Sequence, residues 1–198
     1  MDPVASPPVM PAAPGVAAAL AGALLDPTAE PAEAVERALR AVGEAIGADH
    51  VGLCILDAPS RRIARLPGVE GDRPWTYWWD ADATSPSWVH EGDPDFDGSR
   101  RYLDSLAPME VIALPEVADL PDDFGAERDQ LLDHGIRSWL VVGRRSRKGT
   151  LECIVRAHGS SPQLCAPDHV AALRLMAASV IPVIARVDEG FRVLAAFD

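Results

Sequence analysis

Val35, Leu39, Val42 and Ile46 recur at spacings of four, three and four, which places them on one face of a helix over residues 31–47. Glu33 with Arg37 and Glu36 with Arg40 fall four apart on its wet side, and Gly47 supplies a stop. The period then drops to two over 50–56. Val51, Leu53 and Ile55 point one way and Gly52, Cys54 and Leu56 the other, as in a strand buried on one face and partly covered on the other. The turn Ala58-Pro59-Ser60 leads to a second strand over 62–66, a hairpin partner. Residues 67–98 carry little periodicity and read as a long loop. Beyond it the pattern predicts a short helix over 99–106, a strand over 110–114 and a helix over 122–134 stopped by Gly135. Two strands follow, over 137–142 and 150–157, joined by a basic exposed tip.

The last helix starts near Pro167, a residue suited to a first helical position. Val170, Leu173, Ala177, Val180, Ile184, Val187, Phe191 and Leu194 alternate spacings of three and four. That is a heptad seam able to meet a second chain while another face covers the sheet. Pro182 should kink the helix or end its regular part. The element order predicts an α+β fold, an antiparallel β-sheet with helices packed on one side and a long C-terminal helix. The domain itself is expected over 30–187. A disordered Pro/Ala-rich tail over 1–15 and a short Ala-rich helix or linker over 16–29 precede it, and a helical extension over 188–198 follows.

Composition narrows the function. Of 198 residues, 18 are basic and 30 acidic, a formal charge of −12, and only Lys148 among the basic residues is a lysine. That balance argues against a nucleic-acid partner, which needs a basic face, and against attachment to an anionic membrane. No uninterrupted apolar run reaches ~18 residues, so no transmembrane helix is expected. The start lacks the charged and apolar regions of a secretory signal, and Cys54, Cys153 and Cys165 are odd in number and widely spaced. Together these predict a cytoplasmic protein with reduced thiols.

Residues 114–121, Leu-Pro-Glu-Val-Ala-Asp-Leu-Pro, followed by 127–142, Glu-Arg-Asp-Gln-Leu-Leu-Asp-His-Gly-Ile-Arg-Ser-Trp-Leu-Val-Val, resemble GAF domains, small-molecule sensor modules of bacterial signalling proteins. In that family a strand leads into a helix, and a Gly-Ile/Val-Arg-Ser turn then enters a central strand. The stretch from Ala38 to Asp57 and the helix over 168–186 resemble the family's two ends. Two departures stand out: Gly143-Arg144 where a Pro-Leu pair is common, and Thr150-Leu-Glu-Cys-Ile where small residues usually open the next strand. The Asn-Lys-Phe-Asp-Glu set of cyclic-nucleotide members and the Cys-His pair of bilin-attaching members are not found. The resemblance implies a pocket bordered by the 67–106 loops.

Several groups of residues invite chemistry. Trp75, Tyr77, Trp78, Trp79 and Trp88 crowd into fourteen positions and would suit an organic ligand, although pinning a loop to the sheet explains them as well. The pocket candidates are Trp78, Trp79, Trp88, Tyr102, Arg137 and Trp139; Arg137 would meet an anionic group or simply stand exposed at a strand start. Asp93, Asp95, Asp97 and Asp104 with Gly98 have calcium-loop spacing, but Arg100 and Arg101 oppose the ion, and a solvated acidic loop is the better reading. Cys153, His158, Cys165 and His169 fit no short zinc motif; Cys153 shares a strand face with Leu151 and Val155 and reads as a core thiol.

These residues point to a non-catalytic sensory or regulatory module. It would bind a small molecule of unknown identity and act as a homodimer on a signalling effector protein through its last helix. A structural dimerisation module without ligand is the first alternative. The resemblance admits a second, a free methionine-R-sulfoxide reductase, whose clustered loop cysteines have no counterpart in 67–135. Residues 72–104 hold eight acids against three arginines, which would disfavour an anionic ligand and favour a cation or a neutral aromatic.

Overall fold

The computed structural model describes residues 14–26, 28–57, 62–63, 76–81, 111–145, 151–162 and 164–184. Of the tail expected over 1–15, residues 1–13 lie outside the described residues, as do the helix over 99–106, residues 146–149 of the basic tip and the seam beyond 184, whereas Pro14 and Gly15 belong to the first helix.

Two helices open the chain, α1 (Pro14–Leu24) and α2 (Pro31–Ile46). Proline at the first position of α2 costs no hydrogen bond, and Gly47 ends the helix at φ 65°, where a side chain would be strained. Val35, Leu39, Val42 and Ile46 form the buried face, as their spacing implies. Arg37 does not turn to Glu33 but reaches Asp26 at 3.2 Å, tying α2 to the end of α1. Leu20 and Leu24 of α1 are buried against the same core, so this alanine-rich segment is packed rather than a free linker.

Six strands form one antiparallel sheet: β1 (His50–Asp57), β2 (Arg62–Ile63), β3 (Thr76–Asp80), β4 (Val111–Leu114), β5 (Ser138–Arg145) and β6 (Leu151–Gly159). The order runs β2-β1-β6-β5-β4, and β3 pairs with β1 beside β2. β3 falls in the segment whose composition suggested a loop. Its run Thr-Tyr-Trp-Trp-Asp puts aromatic residues on both faces, which hides the alternation although aromatics favour strands. Helix α3 (Gly125–Asp133) is preceded by a 3-10 turn over Asp122–Phe124, so the helix expected from 122 becomes α-helical only at Gly125. The final helix, α4, spans Pro167–Ile184.

The sheet separates two cores. Odd-numbered positions of β1 and β6 face the layer of α1, α2 and α4: Val51, Leu53, Ile55, Cys153, Val155 and Ala157 are fully buried there. On the other face Leu56, Ile112, Trp139, Val141 and Ile154 pack with Val117, Leu120, Leu131 and Ile136 from the α3 region. Among the described residues the long helices thus share one side, and short α3 lies on the other.

The seam of α4 faces inward. Leu173, Ala177, Val180 and Ile184 are 2 % exposed or less, buried against α2 and the sheet, so these four are not available to a second chain. Eight residues of α4 are buried, although the helix is long and apolar enough to cross a membrane by length and composition alone. It continues through Pro182 to Ile184. The carbonyl that Pro182 leaves without a donor belongs to Ala178, an exposed position where water can serve.

Gly43 shows how tightly α2 meets the sheet. A Cβ there would run into the Trp79 ring. In an open helix Gly→Ala gains about 1 kcal/mol. Here overpacking reverses the sign, and Gly43→Ala should lose about 1–2 kcal/mol net, read as a lower urea midpoint. Adding Trp79→Leu should recover part of the loss.

Candidate functional site

The pairing register lays out the sheet face opposite the helical layer as a grid. Its first row reads Asp80, His50, His158, Trp139 and Leu114 across β3, β1, β6, β5 and β4. The second reads Trp78, Gly52, Arg156, Val141 and Ile112, and the third Thr76, Cys54, Ile154 and Gly143. Neighbours in one row of an antiparallel sheet stand ~4.5–5.5 Å apart at Cβ, so their side chains touch.

Three of the buried polar side chains among the described residues share one corner of this grid: His50, Arg156 and His158. His50 Nδ1–H donates to Asp80 Oδ1 at 2.5 Å, which fixes the ring and turns Nε2 away from the carboxylate. The His50 and His158 rings stack with centroids 5.0 Å apart and 29° between planes, and Trp139 meets His158 edge-on at 6.3 Å. Burial, and then the positive charge that His50 and Arg156 can carry, hold His158 well below the ordinary imidazole value.

Gly52 is the bare tile of this floor. His50 Nε2 and Arg156 Nε each lie 3.1 Å from the point a Cβ would occupy there. The missing side chain leaves that space to a guanidinium and an imidazole.

The six pocket candidates do not form one set. Trp78 and Trp139 belong to this face. Trp79 points the other way, into the helical layer against Gly43, so it cannot line a site with its neighbour. Successive residues of a strand alternate faces, which the crowding of aromatics in the sequence does not convey. Arg137 is exposed just ahead of β5, where its backbone N–H donates to Gly159 O. Trp88, Tyr102 and the acidic set Asp93, Asp95, Asp97 and Asp104 lie outside the described residues. Sequence reasoning did not bring His50, Asp80, Arg156 and His158 together; it weighed His158 only in the zinc grouping. The available signal was β6 itself, where Arg156 and His158 alternate with Val155 and Ala157.

Seven of the eight acids counted over 72–104 lie outside the described residues, so the described floor carries one of them. Of those eight acids Asp80 is described, and it is engaged by His50. Among the described residues the polar corner holds two imidazoles, a guanidinium and this one carboxylate.

The thiols separate. Cys153 lies in the helix-side core, Cys165 packs on the same side, and Cys54 is on the floor, where burial raises its pKa and keeps it a thiol. Cys165 Sγ donates to Trp139 O at 3.7 Å, whereas Cys153 pairs opposite Arg144, five residues along β5 and ~16 Å away. No two cysteines meet as attacking and resolving thiols. Cys153 and His158 also point to opposite faces of β6, which removes the zinc grouping.

No protein-family model and no curated protein sequence matches the chain. Solved structures do. The chromophore-binding domain of a bacteriophytochrome from R. palustris superposes with TM-score 0.56 at 13% identity, over 88% of this chain and 60% of that one. A GAF domain from Synechocystis sp. in its photoproduct state gives 0.55 at 16%, over 81% and 94%. The GAF domain of an Acinetobacter phosphoenolpyruvate-protein phosphotransferase gives 0.54 at 12%, over 86% and 91%. The chain has the GAF fold. The resemblance carried by 114–121 and 127–142 is thereby met at the level of architecture. This GAF-fold chain spans less than two thirds of the phytochrome domain's length but nearly all of the two isolated GAF domains. Chromophores are bound by some of those structures. Here the one floor thiol, Cys54, is buried as a neutral group within β1, so the described cysteines do not fit covalent attachment.

The His158 environment fixes a pH dependence. Its folded pKa lies below the ordinary value of 6.5, so the unfolded chain takes up a proton that the folded one refuses. The stability contributed above pH 6.5 is lost as pH falls, by up to about 1.4 kcal/mol per unit. Urea unfolding at pH 7, 6 and 5 should show this slope in the wild type and a flatter one in His158→Gln.

Proposed function

We propose that this chain is a non-catalytic sensory and regulatory module. It binds a small organic molecule on the sheet face opposite α1, α2 and α4, and reports through α4. The observation that carries the reading is the buried corner of His50, Arg156 and His158 beside Trp139 and Trp78. Charged and polar side chains are seldom buried, and here three of them share one sheet face with two tryptophans. The GAF fold, used by sensory domains among the similar structures, is consistent with it.

A route to the output helix adjoins this corner. Asp49, next to His50, accepts a hydrogen bond from Ser160 N at 2.5 Å through its carboxylate, and its backbone N–H donates to His158 O at 2.9 Å. Ser138 Oγ donates to Ser161 O at 2.7 Å. These bonds clamp the turn from β6 into α4. A ligand that moves His50 or His158 therefore pulls on the start of α4. The recipient would be a signalling effector protein, and a homodimer would have to form through surfaces other than the inward stripe of α4.

Mass spectrometry of the protein purified under native conditions should find a small organic molecule that Trp139→Phe retains less well. Hydrogen exchange over 167–184 should change between loaded and stripped protein. Asp49→Ala should bind the same molecule but lose that change in α4. Identical exchange in loaded and stripped wild type would remove the sensory reading.

A further inference from the structure

We propose that Thr28, in the turn between α1 and α2, is a phosphorylation site whose phosphate takes Arg37 from Asp26 and loosens α1. The inference goes beyond the sensory reading and does not depend on a bound molecule.

Two residues share one carboxylate in this turn. Asp26 Oδ1 accepts from Thr28 Oγ1 at 2.6 Å and from Thr28 N at 2.9 Å, and Asp26 Oδ2 accepts from Arg37 Nη2 at 3.2 Å. The Thr28 hydroxyl and then its N–H, ahead of Arg37, hold the Asp26 carboxyl down at about 2. Because Thr28 occupies the first oxygen, Arg37 has the second alone. Its Nε lies on the same edge of the guanidinium as Nη2, is shielded from water and has no acceptor among the described residues. That edge has one prong in use and lacks an oxygen for the other. Thr28 is exposed, and Glu30 ahead of Pro31 is extended, so the hydroxyl stands in a non-helical turn that an enzyme can reach.

A protein kinase moves the γ-phosphoryl group of a nucleoside triphosphate to Thr28 Oγ1. The bond formed is Oγ1–P, and the bond broken joins the γ-phosphorus to the β–γ bridging oxygen. The nucleoside diphosphate leaves, and the hydroxyl proton passes to a base of the kinase. Oγ1 then has no proton to donate to Asp26, and a group of charge about −1.5 to −2 stands beside that carboxylate. Asp26 and exposed Glu30 repel it, whereas Arg37 is a cation at hand, since it already holds the carboxylate that Thr28 holds. Phosphate oxygens fill both prongs of the Nε–Nη2 edge, and the Arg37 side chain, 41 % exposed, has room to turn. Arg37 thereby leaves Asp26, and the tie between the end of α1 and α2 is lost. What then holds α1 is chiefly the packing of Val16, Leu20, Ala23 and Leu24.

The test compares the full chain carrying phosphothreonine at position 28 with the unmodified chain. Hydrogen exchange over 14–24 should run about 1.5- to 5-fold faster in the phosphorylated protein, the range that loss of one exposed ion pair supplies. In phosphorus nuclear magnetic resonance spectra the second phosphate pKa, about 6 in isolation, should rise when Arg37→Gln removes the cation. A phosphate that is merely solvated would not respond to that substitution. Arg37→Gln should also speed exchange of α1 in the unmodified chain and leave phosphorylation little further effect there. Mass spectrometry of the protein purified from its native cells should find phosphate on Thr28. A phosphate pKa that ignores Arg37→Gln, or equal exchange of α1 with and without phosphate, overturns the switch. Thr28 unmodified across growth and stress conditions overturns the site itself.

Discussion

The register between β1 and β6 sets everything else. Antiparallel pairing sorts residues by parity, and a slip of one position would exchange the two faces entire. Val51, Leu53, Ile55 and Val155 are fully buried against α2 and α4, each stabilising the fold by about 1.5–3 kcal/mol relative to exposure. A slipped sheet would forfeit that burial and drive Arg156 and two imidazoles into an apolar layer, at several kcal/mol for the charge alone. The apolar side therefore dictates where the polar side must be. His50, Gly52, Arg156 and His158 converge because their neighbours in sequence are required elsewhere.

That dependence explains which parts of the fold were legible in the sequence. α2, β1, β5 and β6 each carry a one-sided apolar pattern, and their placement follows from it. β3 does not, since Tyr77 and Trp79 face the helices while Trp78 faces the floor, and a two-sided aromatic strand has no visible alternation. The stripe of α4 misled for another reason. A heptad repeat and an ordinary inward helix face drift apart by only ~20° in seven residues. Over the length of α4 the spacing of Leu173, Ala177, Val180 and Ile184 fits a partner chain and the protein's own core equally well. Only the presence of α2 and the sheet beneath them decides.

The site was less legible than the fold, because it is made by pairing and not by spacing. His50 and His158 are remote in sequence, and neither sits in a motif. Their rings stack only once β1 and β6 are in register. Aromatic crowding drew attention to Trp78 and Trp79 together, yet adjacent strand residues can never line one surface. Charge summed over 72–104 pointed to an acidic wall. Of its acids only Asp80 is described, and it is turned onto His50. Residue counts report what a segment contains, whereas a ligand meets only what faces it.

The same register limits how strongly a bound molecule can act on α4. His50 and Asp49 are successive residues, one facing the floor and the other holding Ser160 in the turn that leads to α4. No ligand can shift an equilibrium by more than its difference in affinity for the two states. If the two states differ by the Asp49–Ser160 bond, that difference is the worth of one charge-assisted hydrogen bond, about 1.5–3 kcal/mol. The corresponding change in population is roughly 10–150-fold, within the usual range of coupling between two sites. Larger effects would require α4 to leave its core, and the burial of Leu173, Met176, Val180 and Ile184 opposes that far more strongly than one hydrogen bond can drive it. A small adjustment at the first turn of α4, with its inward stripe kept in place, is therefore the motion that the packing permits.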